Sequence, residues 1–147
     1  METEKGVMIV AYKQSRRSNR YALLKRKKNW EGWELPKGHL EEDDYRKTVK
    51  IELMEECGID ESQIQSMEDL KEATSWKYEQ DGTEFRKEYK AFAVKVDEDV
   101  RIDTSQNPCD EHEQGFFLKK EDAESLLTYE NNRELLQRAA EKIQEEE

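Results

Sequence analysis

Hydrophobic positions fall along the chain in two rhythms, one suited to strands and one to helices. Residues 6–13 (GVMIVAYK) hold an unbroken apolar run and 21–26 (YALLKR) a second, so both read as strands joined by the polar turn QSRRSNR. Residues 27–44 show neither rhythm and read as a loop carrying Trp30, Trp33 and Pro36. Asp43 or Asp44 can cap a helix that runs to about residue 57, where Gly58 stops it. Strand-like runs at 71–79 and 85–96 flank Asp81-Gly82-Thr83, a turn signal that predicts a hairpin. Residues 97–114 read as a loop, 116–118 as a short strand, 121–127 as a short helix and 131–145 as a longer helix. In the longer helix Leu135, Leu136, Ala139, Ala140 and Ile143 form one stripe, suited to docking on the chain's own sheet or, alternatively, on a second copy. Strands, helix, strands and then helices predict an α/β (α+β) sandwich with a mixed sheet, in a single domain over 1–147.

Composition changes this picture in one respect. Charged residues make up 41% of the 147, with 36 acids against 25 bases and a net charge of -11. Leu, Ile, Val and Phe together are less than a fifth of the chain, which beside such a charge warns of disorder. The regular apolar patterns and three Trp argue instead for a small core under a highly charged, solvated surface. No apolar run approaches the roughly 18 residues that cross a membrane. The charged start METEKGVMIV does not read as a secretory signal. Cys57 and Cys109 offer neither a disulfide framework nor zinc spacing, so a reducing, cytoplasmic setting is expected. Net acidity weighs against general nucleic-acid binding and suits a site that collects divalent cations.

Candidate chemistry is concentrated at residues 35–59, LPKGHLEEDDYRKTVKIELMEECGI. At about 100° per residue, Glu52, Glu55 and Glu56 share one helix face, while Val49, Leu53 and Cys57 share the neighbouring face and can pack on a sheet. The acidic face breaks local rules. Like charges three and four residues apart repel by a few tenths of a kcal/mol per pair. The helix dipole disfavours acids in the last turn by roughly 0.3–1 kcal/mol each. A divalent cation relieves both costs, and oxygen ligands favour Mg2+ or Mn2+. A solvated acidic face in an acidic protein is the bland alternative. Gly38, where backbone can come close to a ligand, and the positive Lys37 tilt the balance toward a metal-bridged phosphate.

Residues 38–59 resemble the Nudix box, the loop–helix signature of Nudix hydrolases. Gly38 matches its start, and Glu52-Leu53, Glu55-Glu56 and Gly58-Ile59 match its second half. The neighbouring LPKGH and the downstream EHEQGFFLKKEDAESLL are similar to the branch that cleaves dinucleoside polyphosphates such as diadenosine tetraphosphate. The resemblance implies a Nudix-type α/β/α sandwich with a mixed β-sheet and a metal-dependent pyrophosphohydrolase. It implies Glu52, Glu55, Glu56 and the Gly38 carbonyl as ligands of Mg2+ (or Mn2+). It implies a catalytic set of Glu52, Glu55, Glu56 and Glu111, with the general base among Glu55, Glu56 and Glu111. Two departures stand out. The family Arg falls on Ile51, and the spacing from Gly38 to Glu52 is one residue short, so the first family Glu falls on Asp43 or Asp44. Lys50 and Arg46 are nearby cations that can stand in for that Arg.

The expected partner is a nucleotide small molecule, with no membrane, for a monomer or homodimer. Lys37 and Lys87 can meet phosphate charge, Lys87 at the place where the family has such a Lys. Trp30, Tyr78, Tyr89 and Tyr129 can stack on a base, a contact worth roughly 1–3 kcal/mol. Trp30, Lys37, Lys87 and Tyr89 form the expected substrate set. Trp33 and Trp76 read as core, and His112 as an ordinary loop residue. The run Lys25-Arg26-Lys27-Lys28, with Arg16, Arg17 and Arg20 as its extension, raises RNA 5′-pyrophosphate removal as an alternative. Ile51 and the short loop raise another, a catalytically weak module that binds a nucleotide or a protein.

Overall fold

The apolar run at residues 7–11 lies in the middle of the sheet, buried on both sides. In the computed structural model, which describes residues 2–15 and 18–145, this run belongs to β1 (Glu2–Ser15). It is followed by β2 (Ser18–Arg26), β3 (Gly32–Glu34), β4 (Lys37–His39), α1 (Tyr45–Cys57), β5 (Ile64–Gln80) and β6 (Thr83–Val96). The chain then forms β7 (His112–Lys119), α2 (Lys120–Leu126) and α3 (Glu130–Glu145). Arg16, Arg17 and the last two Glu, which extend the basic run and the acidic terminus, lie outside the described residues.

The sheet runs β3-β2-β1-β6-β5, with β4 added to β1 and β7 to β2. β1 and β6 pair parallel, Ile9 opposite Phe92, while the other pairings are antiparallel, so the sheet is mixed. The β5–β6 hairpin closes through Asp81 and Gly82, both at positive φ (52° and 77°), as a two-residue turn between right-twisted strands requires.

Period-two alternation along β1 divides the core. Val7, Ile9 and Ala11 face α1 and pack with Val49, Leu53 and Cys57. Met8 and Val10 face the other side and pack with the α3 stripe, Leu135, Leu136, Ala139, Ala140 and Ile143. That stripe is buried against the chain's own sheet. Each such Leu or Ile contributes about 1.5–3 kcal/mol by leaving water. The result is an α/β/α sandwich, and no helix among the described residues is long and apolar enough to cross a membrane.

The elements differ from the local expectation where pairing overrides pattern. β3 and β4 lie inside what reads as a loop at 27–44. Three residues are too few to show a period, and these form because β2 and β1 offer open edges to pair with. β7 likewise begins at His112, because β2 pairs with it from Arg26 to Arg20. β5 begins at Ile64, but its alternation is broken by an irregularity between Asp69 and Ala73, where Lys71 takes φ 56°.

Candidate functional site

The stop and start of α1 aim its acidic face. Asp44 accepts a hydrogen bond from the Lys47 amide (3.0 Å), capping the first turn. Gly58, at φ 66°, ends the helix, and its amide with that of Ile59 folds back on the Met54 and Leu53 carbonyls. With Val49, Leu53 and Cys57 held in the core, Glu52, Glu55 and Glu56 face a cleft of about 930 Å³.

β4 lies directly over that face. Its Lys37 amide donates to Glu56 Oε1 at 2.9 Å. Gly38 sits so close to Glu52 that a Cβ there would lie 2.0 Å from the Glu52 carboxyl carbon, so the position needs a residue without a side chain. Ile51, at the place of the family Arg, brings no charge, and the two stand-ins do not reach the carboxylates. Lys50 pairs with Glu61 (2.7 Å), and Arg46 donates to the Met67 carbonyl (3.2 Å).

Under the cleft runs a buried polar chain. Glu34, 1% exposed, lies 2.7 Å from His112 Nε2, 3.2 Å from Arg26 and 3.4 Å from Lys37. His112, also 1% exposed, is a core residue rather than a loop histidine, because register places it opposite Arg26 on β2. Its Nδ1 lies 3.8 Å from Glu56 Oε2. Glu56, Glu111 and His112 each present a donor atom, all within 4.8 Å of one another.

Burial and mutual repulsion govern the carboxylates. Burial, then the charges of Glu55, Glu41 and Glu111, push the Glu52 pKa up to about 8. Burial, then Glu52 and Glu34, push Glu56 well above the usual carboxylate range, against the opposing hydrogen bond from Lys37. Glu34 goes the other way. Burial pushes it up, but the His112 hydrogen bond and the charges of Lys37, His112 and Arg26 outweigh that and lower it. Among the described residues no Lys or Arg side chain pairs with Glu52 or Glu56, an arrangement that a divalent ion with oxygen ligands fits.

Cations and aromatic rings line the rest of the cleft. Lys37 and Lys87 lie 5.4 and 5.9 Å from the Trp76 ring centre, and Lys87 lies 5.3 Å from that of Tyr78. Burial, then Lys37, lowers the Lys87 pKa. Trp30 meets Tyr129 edge-to-face at 5.0 Å, with Arg26 over its ring at 5.6 Å. Glu52, Glu55, Glu56, Glu111, Gly38, Trp30, Lys37, Lys87 and Tyr89 thus all border one cleft. Tyr89 is 1% exposed and packs on Trp76 at 5.2 Å, so it backs the wall rather than offering an open face. Trp76 borders the cleft as well as packing against the core. Glu34 and Glu41 escape a reading by spacing. The one available signal for Glu34 is an acid set directly between Trp33 and Leu35.

The run Lys25–Lys28 is met by partners of its own: Lys25 by Glu113, Arg26 by Glu34 and Glu111, Lys27 by Asp110, and Lys28 by the Cys109 carbonyl. Only Arg26 of the four borders the cleft.

Fold and cleft together define an α/β/α sandwich built around a loop–helix carboxylate site. The chain matches the NUDIX domain over residues 3–139 and belongs to that family. No curated protein matches it in sequence. Among solved structures it is similar to an Ap4A hydrolase of C. elegans in a binary complex, at 21% identity over 95% of this chain and 97% of that one, TM-score 0.74. It is similar to the dihydroneopterin triphosphate pyrophosphohydrolase of E. coli, at 19% identity over 94% and 97%, TM-score 0.74. It is also similar to the NUDIX domain of Shewanella oneidensis NrtR complexed with ADP ribose, at 13% identity over 97% and 90%, TM-score 0.67. At these identities the likeness carries the fold.

Proposed function

We propose that the chain is a divalent-metal-dependent hydrolase of a pyrophosphate linkage in a nucleoside polyphosphate, with a dinucleoside polyphosphate such as diadenosine tetraphosphate as substrate. The observation that carries this reading is half-buried Glu52 and buried Glu56, neither paired with a Lys or Arg side chain among the described residues, in the cleft that also holds Lys37 and Lys87. Glu52, Glu55, Glu56 and the Gly38 carbonyl are the proposed ligands of Mg2+ or Mn2+. The bound ion supplies charge neutralisation at the phosphoryl oxygens and a water of lowered pKa.

The remaining chemistry falls to the chain. Glu55 and Glu111 border the cleft and are the proposed general bases, while Glu56, 4% exposed, lies deeper in the same cleft as a ligand. The water proton passes to the carboxylate of Glu55 or Glu111 as the water oxygen bonds to phosphorus. The bridging P–O bond breaks and the leaving phosphate takes its electrons. Lys37, Lys87 and Arg26 offset the phosphate charge. Two separate aromatic groups, Trp30 with Tyr129 and Trp76 with Tyr78, border the same cleft, which supports a ligand carrying two flat bases. The C. elegans Ap4A hydrolase in the same fold supports that choice. One domain, with α1 and α3 on opposite faces of one sheet, carries the site. Free Cys57 and Cys109 suit a cytoplasmic setting.

The experiment is product release from diadenosine tetraphosphate, nucleoside triphosphates, a nucleotide sugar and a triphosphorylated RNA, with Mg2+ or Mn2+, for wild type and Glu56→Gln. Metal-dependent cleavage of the dinucleotide, lost in the variant, is expected. Turnover that survives Glu56→Gln overturns the reading. A second reading, a binding module without turnover, is favoured by the uncharged Ile51. It predicts nucleotide binding by calorimetry with no product from any of the four classes.

A further inference from the structure

We propose that His112 Nδ1 is a metal ligand, joining Glu56 and Glu111 in a mixed nitrogen–oxygen site that prefers a first-row cation such as Mn2+, Co2+ or Zn2+ over Mg2+. The proposal rests on the metal-dependent reading above and deepens it by naming the class of ion.

The hydrogen bonding of the imidazole leads there. Arg26 and Lys37 lie 3.2 and 3.4 Å from Glu34 and hold it as a carboxylate, which only accepts hydrogen bonds. His112 Nε2, 2.7 Å from Glu34, must therefore be the donor. A metal ion on this ring would take the tautomer with its proton on Nε2 and its lone pair on Nδ1. Nδ1 is fully buried and has no hydrogen-bond partner. The Glu56 oxygen 3.8 Å away is too far for a hydrogen bond. Leaving a buried polar atom unpartnered is costly, roughly 1–3 kcal/mol.

Glu56 and Glu111 each place a carboxylate oxygen near the ring, the two oxygens and one ring nitrogen of His112 lying within 4.8 Å of one another, and Glu56 Oε2 is 3.8 Å from Nδ1. A buried ring nitrogen without a hydrogen-bond partner, beside two carboxylates, is a set of ligand atoms that suits a cation. A histidine that gives its other N–H to a carboxylate is the usual arrangement of a metal-bound imidazole, in which the carboxylate sets both tautomer and ring orientation. Ligand bonds of about 2.0–2.2 Å need the three atoms slightly closer. Glu111, which is half-buried while the other two are buried, has the freedom to supply that movement. An imidazole nitrogen shifts preference from Mg2+ toward Mn2+, Co2+ and Zn2+.

The test uses the full chain with metal alone. The chain has two histidines, so His39, with its side chain 66% exposed, is the control. Pulsed electron paramagnetic resonance of bound Mn2+ is expected to show imidazole nitrogen coupling in wild type and His39→Gln, and none in His112→Gln. The Gln amide can still donate to Glu34 but places nothing at Nδ1. By calorimetry, Mn2+ and Co2+ affinity is expected to fall at least about tenfold in His112→Gln, with Mg2+ affinity within about threefold. If that variant does not fold, 15N-histidine resonances of wild type decide, since Zn2+ is expected to move the His112 Nδ1 signal away from that of a bare nitrogen. Mn2+ bound without imidazole coupling, or an Nδ1 signal unmoved by Zn2+, overturns the proposal and leaves the carboxylate site standing. No divalent binding at all overturns the metal-dependent reading with it.

Discussion

Gly38 and Glu52 interlock: a Cβ on Gly38 would lie 2.0 Å from the Glu52 carboxyl carbon and 2.3 Å from its Oε1. Strand β4 and helix α1 are therefore held at a separation that only a missing side chain permits. The family glycine has a steric reason here, and the reason is a carboxylate.

Gly38→Ala is expected to push Glu52 out of place without unfolding the chain, since Gly38 does not sit at positive φ. Affinity for Mg2+ or Mn2+, read by calorimetry, is expected to fall tenfold or more, with the melting temperature changed by only a few degrees. Unchanged affinity would show that Glu52 holds no ion.

Between about pH 5 and 8, the metal-free chain is expected to lose the stability that Glu52 and Glu56 contribute. Glu52 has a folded pKa of about 8 against an ordinary value of 4.5, and Glu56 is raised in the same direction. The folded state thus binds protons at these two groups that the unfolded state releases, so their contribution to stability is greatest below about pH 4.5 and declines toward pH 8. A cation bound at 100 times its Kd adds about 2.7 kcal/mol, or roughly 5–10 °C in Tm at this chain length. Thermal melts at pH 5, 7 and 9, in EDTA and in Mg2+, are expected to show the metal gain growing with pH. A gain that shrinks with pH contradicts the assignment.

Half-buried Trp30 and Tyr129, 49% exposed, form an aromatic pair bordering the cleft. Replacing either by Ala is expected to raise KM by the worth of one base stack, about 1–3 kcal/mol or roughly 5–150-fold. Tyr129→Phe keeps the ring and is expected to stay near wild type. Steady-state kinetics on diadenosine tetraphosphate separates this from a loss of kcat, which would point to the chemistry instead.

Leu53 sits fully buried beside the acidic face and anchors α1 to the sheet. Leu53→Ala is expected to cost about 2–5 kcal/mol in chemical denaturation. Because it loosens the helix that carries Glu52 and Glu56, cation affinity is expected to fall with it. Loss of stability with unchanged affinity would separate the core from the site.

Much of this was legible along the chain. Asp44 and Gly58 bound α1 because capping is local chemistry, satisfied within three or four residues. Apolar positions at 49, 53 and 57 set its core face, and the three acids could then only share the other side. The hairpin was legible at Asp81-Gly82 because few residues tolerate two successive positive φ values.

Other features exist only once distant segments meet. β3 and β4 are made by the edges of β2 and β1, so no local period announces them. Nothing near residue 112 distinguishes a buried histidine, since its burial comes from strand register and its partner Glu34 is 78 residues away. Ile51 removes a charge that local sequence would seek in Lys50 or Arg46, yet both turn to Glu61 and Met67. Spacing along the chain therefore specified the elements and the acidic helix face, because those depend on residues a turn apart. Folding alone set which groups compensate one another in the cleft, because electrostatics in a buried site depends on distance through space and on the loss of water.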